Sequence, residues 1–168
     1  DDAKITKIAT SAGARVISRP EELATDTATT ESAIHHYLNK FSKKPDIVVL
    51  LQATSPLRPK GSLDKALTHF TKGGYDSLLS ISPTHRFFWR VKNDDTAYAE
   101  YDYLNRPLRQ DMKLEDMRYL ENGSLYIFSR KHFEKMGNRL GGKIGYVAWP
   151  EEYSIEIDTP LDFEFVEK

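Results

Sequence analysis

Apolar positions along the chain switch repeatedly between two periods. Ile5, Ile8, Ala9 and Ala12 recur at helical spacing and Gly13 follows, which predicts a first helix. "ARVIS" (14–18) reads as a short strand, and "RPEELATDT" as a polar connection. From about Thr29, the stripe Ile34, Tyr37, Leu38, Phe41 predicts a second helix that ends before Pro45. "DIVVLLQ" is a β-branched, continuously apolar run, the pattern of a strand buried on both faces. Leu63, Ala66, Leu67 and Phe70 form a third helical stripe closed by Gly73 and Gly74, and "YDSLLSIS" returns to strand. This alternation predicts βαβ units, hence an α/β fold with a mainly parallel sheet.

The rhythm breaks between Pro83 and Arg118, where aromatic and charged residues crowd together. "NDD" reads as a hairpin turn between "FFWRVK" and "TAYAEY". Residues 83–118 are therefore expected to leave the sheet as a lid, an arm or an oligomer contact. Strand pattern resumes at "GSLYIFSR", followed by the short helix "RKHFEKM" and the strand "KIGYVAW". "SIEID" is expected to be extended. "TPLDFEFVEK" carries a strong helix-start signal: Thr159 at the N-cap, Pro160 at the first helical position, and Asp162 placed to reach back as a capping carboxylate.

Composition changes this picture little. The 168 residues suit one domain, and 39% apolar with 29% charged residues describes a globular chain. With 24 basic and 25 acidic residues the net charge is −1, which leaves no electrostatic footprint for nucleic acid or an anionic membrane. No apolar stretch is long enough to span a bilayer. The absence of cysteine excludes disulfides and thiolate metal sites and is compatible with a cytoplasmic protein.

Four polar clusters are candidate chemistry. Gln52, Thr54, Ser55 and Arg58 follow directly on the buried strand run, at the end of a strand where open α/β sheets bind ligands; a Ser-Pro turn alone would look the same. Glu156 and Asp158 alternate with Ile155 and Ile157, so on a strand both carboxylates face one side. Such a pair could hold Mg²⁺ with substrate phosphates, or could be a solvated strand edge. Arg106, Arg109, Gln110 and Asp111 form either an anion-binding fork or a solvated basic face. Glu121 and Asn122 precede Gly123, as ordinary turn chemistry or as part of a cleft rim. Of five histidines only His85, at the start of the arm, is a site candidate, and no Gly-rich phosphate loop is present in these residues.

Taken in order, "RPEELATDTAT", "LLQATSPLR", "RQD…YLENGSLYIF" and "IEIDTPLDFE" resemble the acylneuraminate cytidylyltransferase family, the CMP-sialic acid synthetases and their relatives. The resemblance runs from about residue 19 to 165. It implies a three-layer, Rossmann-like nucleotidyltransferase sheet with a dimerisation arm at 83–118, in one domain over residues 1–168. The implied reaction is transfer of CMP from CTP to the anomeric hydroxyl of a nonulosonic acid, with release of pyrophosphate and with Mg²⁺ as cofactor. On the same resemblance Gln52 contacts the sugar acid, Thr54 and Ser55 shape the cleft floor, and Arg109 is a candidate partner for the sugar carboxylate. Asp158 becomes the principal metal ligand and Glu156 the second. Glu121 and Asn122 join the substrate-binding set, and the implied assembly is a homodimer.

Two residues depart from the family pattern. Ala53 stands where Pro is usual, and Glu156 stands where Asp is usual, which moves its carboxylate by about one methylene. The family's first strand and basic, Gly-rich nucleotide loop do not appear here, and the chain opens without Met, already in helical pattern. The expectation is therefore most of a synthetase seen without its start. Two other readings stay open: a non-catalytic, synthetase-like module that binds a sugar acid or dimerises, and a cytidylyltransferase for a shorter keto-deoxy sugar acid.

Overall fold

The computed structural model describes residues 1–113 and 117–167. Residues 114–116, in the expected arm, and Lys168, at the end of the expected last helix, lie outside the described residues.

Most local signals produce the elements they predict. Helix α1 is Ala3–Ser11, started by the Asp2 carboxylate, which accepts from the amides of Lys4 and Ile5 at 2.8 Å. Helix α2 is Thr30–Asn39, capped by Thr29, and strand β1 is Ile47–Leu50. Helix α3 (Ser62–Gly73) leads to strand β2 (Ser77–Thr84). The hairpin forms as β3 (Trp89–Val91) and β4 (Ala97–Ala99), a separate two-stranded sheet. Its turn contains Asp95 at φ 61°, a left-handed position that Asp tolerates better than most residues. Strand β5 (Arg118–Ser129) runs into helix α4 (Arg130–Met136), and β6 (Ile144–Ala148) precedes helix α5 (Pro160–Glu167). The capping box of α5 is reciprocal: the Thr159 amide donates to Asp162 Oδ2 at 2.8 Å, and the Asp162 amide donates to Thr159 Oγ1 at 3.3 Å.

The main sheet has the order β1-β5-β2-β6. Strands β1, β2 and β6 point the same way, as the βα rhythm predicts, but β5 runs against them between β1 and β2. Two of the three pairings are therefore antiparallel, because the chain enters β5 from the arm and not from a crossover helix.

Helices cover both faces, giving three layers. On one face Ala66 and Phe70 of α3 pack with Leu78, Leu125, Ile127 and Trp149. On the other, Ile34 and Leu38 of α2 pack with Phe128 and with Phe133 of α4. The two clusters draw alternate residues of β5, as the two-residue period of a strand requires. Each fully buried Leu, Ile or Phe here contributes about 1.5–3 kcal/mol.

Two sequence expectations fail for one physical reason. Residues 14–18 form no strand, because no described strand lies beside them to pair with. Residues 154–158, expected only to be extended, join no ladder among the described residues. Strand β1 is not buried on both faces: among the described residues β5 is its one neighbour, and Val49 is 43% exposed. Apolar sequence supplies strand propensity, but a ladder needs a partner at the right register.

One irregularity positions everything that follows. Leu79 pairs with Tyr126, but Ile81 pairs with Glu121. Two steps along β2 thus match five along β5, so β5 carries a wide bulge at residues 122–125. Asn122 fills it from inside. Its Nδ2 donates to Ser82 Oγ at 3.0 Å, and its Oδ1 accepts from Ser80 Oγ and from the Ser124 amide.

Candidate active site

The loop after β1 is held against this bulge. Arg58 donates to the carbonyls of Ser124 (3.2 and 3.1 Å), Gln52 (3.2 Å) and Pro56 (3.3 Å). Ser124 Oγ, fully buried, donates in return to the carbonyl of Ser55 at 3.1 Å. Burial lowers the pKa of Arg58. Of the two readings open for Arg58, ligand contact or turn, the structure takes the second: its guanidinium is committed to backbone carbonyls and shapes the loop. Arg58→Ala is expected to lose about 2 kcal/mol, from charged hydrogen bonds left unmade. Thermal unfolding checks this, with a fall of roughly 4–8 °C expected for a domain of this size.

Gly123 sits at the point of closest approach, at φ +63°. A methyl group placed on it would lie 2.8 Å from Glu156 Oε1, 2.9 Å from Gln52 Oε1 and 2.9 Å from Ser55 Oγ. Three polar side chains from two distant segments therefore converge on one bare backbone position. The segments are also joined directly, the Ile157 amide donating to the Thr54 carbonyl at 2.8 Å. Ser55 is 2% exposed, and its hydroxyl has no hydrogen-bond partner among the described residues. Buried hydroxyls are normally satisfied, so the Ser55 hydroxyl stands out beside Gly123.

Acidic groups surround the same point. The Glu156 carboxyl is raised above its usual value, first by burial and then by the charges of Asp158 and Glu121. Asp158 is exposed, and its amide donates to Asp162 Oδ2 at 3.2 Å. Among the described residues no three His, Asp or Glu side chains gather closely enough to enclose a cation unaided. The charges of Asp158 and Glu121 thus both reach the Glu156 carboxyl.

The other predicted residues divide. Glu121 flanks the cluster, and its Oε1 accepts a hydrogen bond from the Tyr126 hydroxyl. Thr54 is exposed, and its carbonyl serves the 155–158 segment. Asn122 is fully buried with both amide atoms engaged, so it lies beneath the cleft and supports the bulge, contrary to the rim position expected for it. Arg109 is in a one-turn 3₁₀ segment of the arm, where it lines a cleft with His85, Phe87, Trp89, Tyr101 and Arg106. No described contact brings it to Gln52 or Asp158. Arg106 stacks on Phe87 at 4.3 Å.

Sequence reading missed Gly123, Ser124 and Tyr126. Only the first carried a signal, since a glycine inside a strand pattern marks a bulge or a close approach.

The sequence profile of the cytidylyltransferase family matches residues 1–168. The chain belongs to the cytidylyltransferase family. Within it, the chain is 35% identical to N-acylneuraminate cytidylyltransferase A of Danio rerio, over 100% of this chain and 39% of that protein. It is 33% identical to N-acylneuraminate cytidylyltransferase of Oncorhynchus mykiss, over 100% of this chain and 38% of that protein. To post-translational flagellin modification protein B of Campylobacter coli it is 29% identical, over 99% of this chain and 73% of that protein. The chain thus spans about two fifths of the length of the two fish relatives. The solved structure of CMP:2-keto-3-deoxy-manno-octonic acid synthetase complexed with CTP superposes with a TM-score of 0.65. That match covers 99% of this chain and 76% of the synthetase at 16% identity, and it shows the shared Rossmann-like cytidylyltransferase fold.

Proposed function

We propose that the protein transfers CMP from CTP to the anomeric hydroxyl of a nonulosonic acid. The hydroxyl oxygen bonds to the α-phosphorus, the bond from that phosphorus to the bridging oxygen breaks, pyrophosphate leaves, and the hydroxyl proton passes to water. The convergence of Gln52, Ser55 and Glu156 on Gly123 carries this reading, because it makes one cleft of the two segments that the chemistry requires. The N-acylneuraminate relatives favour a sialic-type acid as acceptor.

In this reading Gln52, with a donor and an acceptor on one amide, meets the sugar acid, and the Ser55 hydroxyl lies on the floor beneath it. Asp158, with Glu156 beside it, would hold Mg²⁺. When bound, that ion offsets the negative charge of the triphosphate. The arm is read as a homodimer contact: Trp89 is 53%, Tyr103 61% and Leu104 80% exposed, an apolar surface that a second copy would cover. Arg109, on that arm, would then serve a sugar carboxylate in the assembled dimer. We assign the protein to the cytoplasm, in keeping with a chain that has no cysteine.

The direct test offers a panel of nonulosonic and shorter keto-deoxy acids, with CTP and Mg²⁺, to the full-length protein. Pyrophosphate release with a nonulosonic acid is the expected outcome, and none with any acid sinks the reading. Gln52→Ala is expected to raise the KM for the sugar acid about tenfold with a smaller effect on CTP. Selective loss of CTP affinity would put Gln52 on the wrong substrate.

A further inference from the structure

A cationic groove lies between α3 and strand β6. It encloses about 410 Å³ and shares no residue with the convergence on Gly123. Ser62, Lys65 and His69, three and four residues apart along α3, turn one flank of the helix to it, and Lys60 stands at its rim. Tyr146 and Trp149 belong to the opposite wall. Among the described residues no Asp or Glu lines the groove, and neither lysine pairs with a carboxylate. Asp64, the acidic residue in the first turn of α3, is not part of the lining.

The groove opens onto the start of α3, where hydrogen-bond donors are left over. The N-cap is Gly61, at φ +72°, which has no side chain to cover the first turn. The Ser62 amide donates to the Pro59 carbonyl at 3.0 Å, and the Lys65 amide to the Gly61 carbonyl at 3.3 Å. Among the described residues the amides of Leu63 and Asp64 between them have no acceptor. Nor has the Ser62 hydroxyl, at the closed end of the groove on a side chain only 6% exposed. Buried hydroxyls are normally satisfied. Two amides, a hydroxyl and two ammonium groups all lack an acceptor, and the positive end of a helix lies behind them. One compact anion with several acceptor oxygens answers all of them. A phosphoryl group presents three such oxygens in different directions, whereas a carboxylate presents two in one plane.

We propose that this groove is a phosphoryl-binding site separate from the transfer cleft, held by Ser62, Lys60, Lys65 and the first amides of α3. Its ligand is free phosphate or a phosphate monoester whose body lies against Tyr146, a ring 56% exposed on the groove wall. The proposal stands or falls independently of the transfer reading, since no residue of the cleft takes part.

Calorimetric titration of the full-length protein with inorganic phosphate, and separately with phenyl phosphate, tests it at low ionic strength, where exposed ammonium groups are least screened. The wild type is expected to bind, and Lys65→Ala to bind about tenfold more weakly, from the loss of a charged hydrogen bond. Ser62→Ala should weaken binding about fivefold. Its ligand-free unfolding temperature should stay the same or rise, because a buried hydroxyl without a partner is a cost to the fold. A merely structural serine would show the opposite pair of effects. Lys72→Ala, in the last turn of the same helix, should leave affinity within about twofold, since only general attraction is lost. Equal affinity for the two probes identifies free phosphate as the ligand. Tighter phenyl phosphate, reduced to the level of phosphate by Tyr146→Ala, identifies a monoester. The inference is overturned if neither probe binds, if Lys65→Ala and Ser62→Ala bind as the wild type does, or if Lys72→Ala weakens binding as much as Lys65→Ala.

Discussion

In the full-length protein, Gly123→Ala is expected to reduce the proposed CMP transfer by about 100-fold or more while the sheet stays folded. Two effects add. At φ +63° an L-residue costs roughly 1–2 kcal/mol in backbone strain, which is a loss of stability and not of chemistry. The second effect is local. The new methyl carbon would stand 2.8–2.9 Å from oxygens of Glu156, Gln52 and Ser55, so all three must withdraw by some tenths of an ångström. Displacements approaching 1 Å at a reacting centre cost about 10²-fold. Gly61 separates the two effects. It too has a positive φ, +72°, but nothing lies within 4 Å of where its methyl would go. Gly61→Ala should therefore lower the unfolding temperature by a few degrees with activity retained, whereas Gly123→Ala should lose activity as well. The measurements are pyrophosphate release and thermal unfolding for both variants. Equal activities would mean that the three side chains do not form the reacting cleft.

Asp158→Ala should be the other severe change, with turnover about 10³-fold lower or undetectable. Asp158 is exposed, and its carboxylate makes no hydrogen bond in the fold among those described, so nothing structural is lost with it. Stability should even rise slightly at neutral pH. Asp158 helps to hold the Glu156 carboxyl above its usual value, behind burial as the larger cause. A carboxyl raised in the folded state binds more protons there than in the unfolded chain. It therefore costs stability once the pH exceeds its unfolded value, and removing Asp158 relieves part of that cost. Asp158→Ala should therefore lose turnover while its unfolding temperature equals or exceeds that of the wild type. Unchanged turnover would refute the metal assignment. A lower unfolding temperature would show that Asp158 supports the fold.

The sequence was a reliable guide wherever the cause of structure was local. The Thr159–Asp162 capping box, the Asp-containing hairpin turn and the apolar stripes of α2 and α3 act within a few residues, and all appear as read. Residues 14–18 carry a strand pattern and form none, because strand identity belongs to a pair of segments and one segment cannot show its partner. The candidate residues follow the same division. Gln52, Ser55, Glu156 and Asp158 could be named as chemistry because their types and spacings were informative. Arg58 and Asn122 looked equally available, and the structure uses them up on carbonyls and serine hydroxyls. Tyr126 looked like one more apolar strand residue.

By itself, then, the sequence determined the α/β alternation, the helix boundaries, the aromatic excursion and the inventory of polar groups after β1 and before α5. Only the tertiary structure decided which of those groups are consumed and which are left facing a ligand. That choice turns on the bulge that matches five residues of β5 to two of β2, a register between strands some 40 residues apart in the chain that no local pattern of side chains encodes.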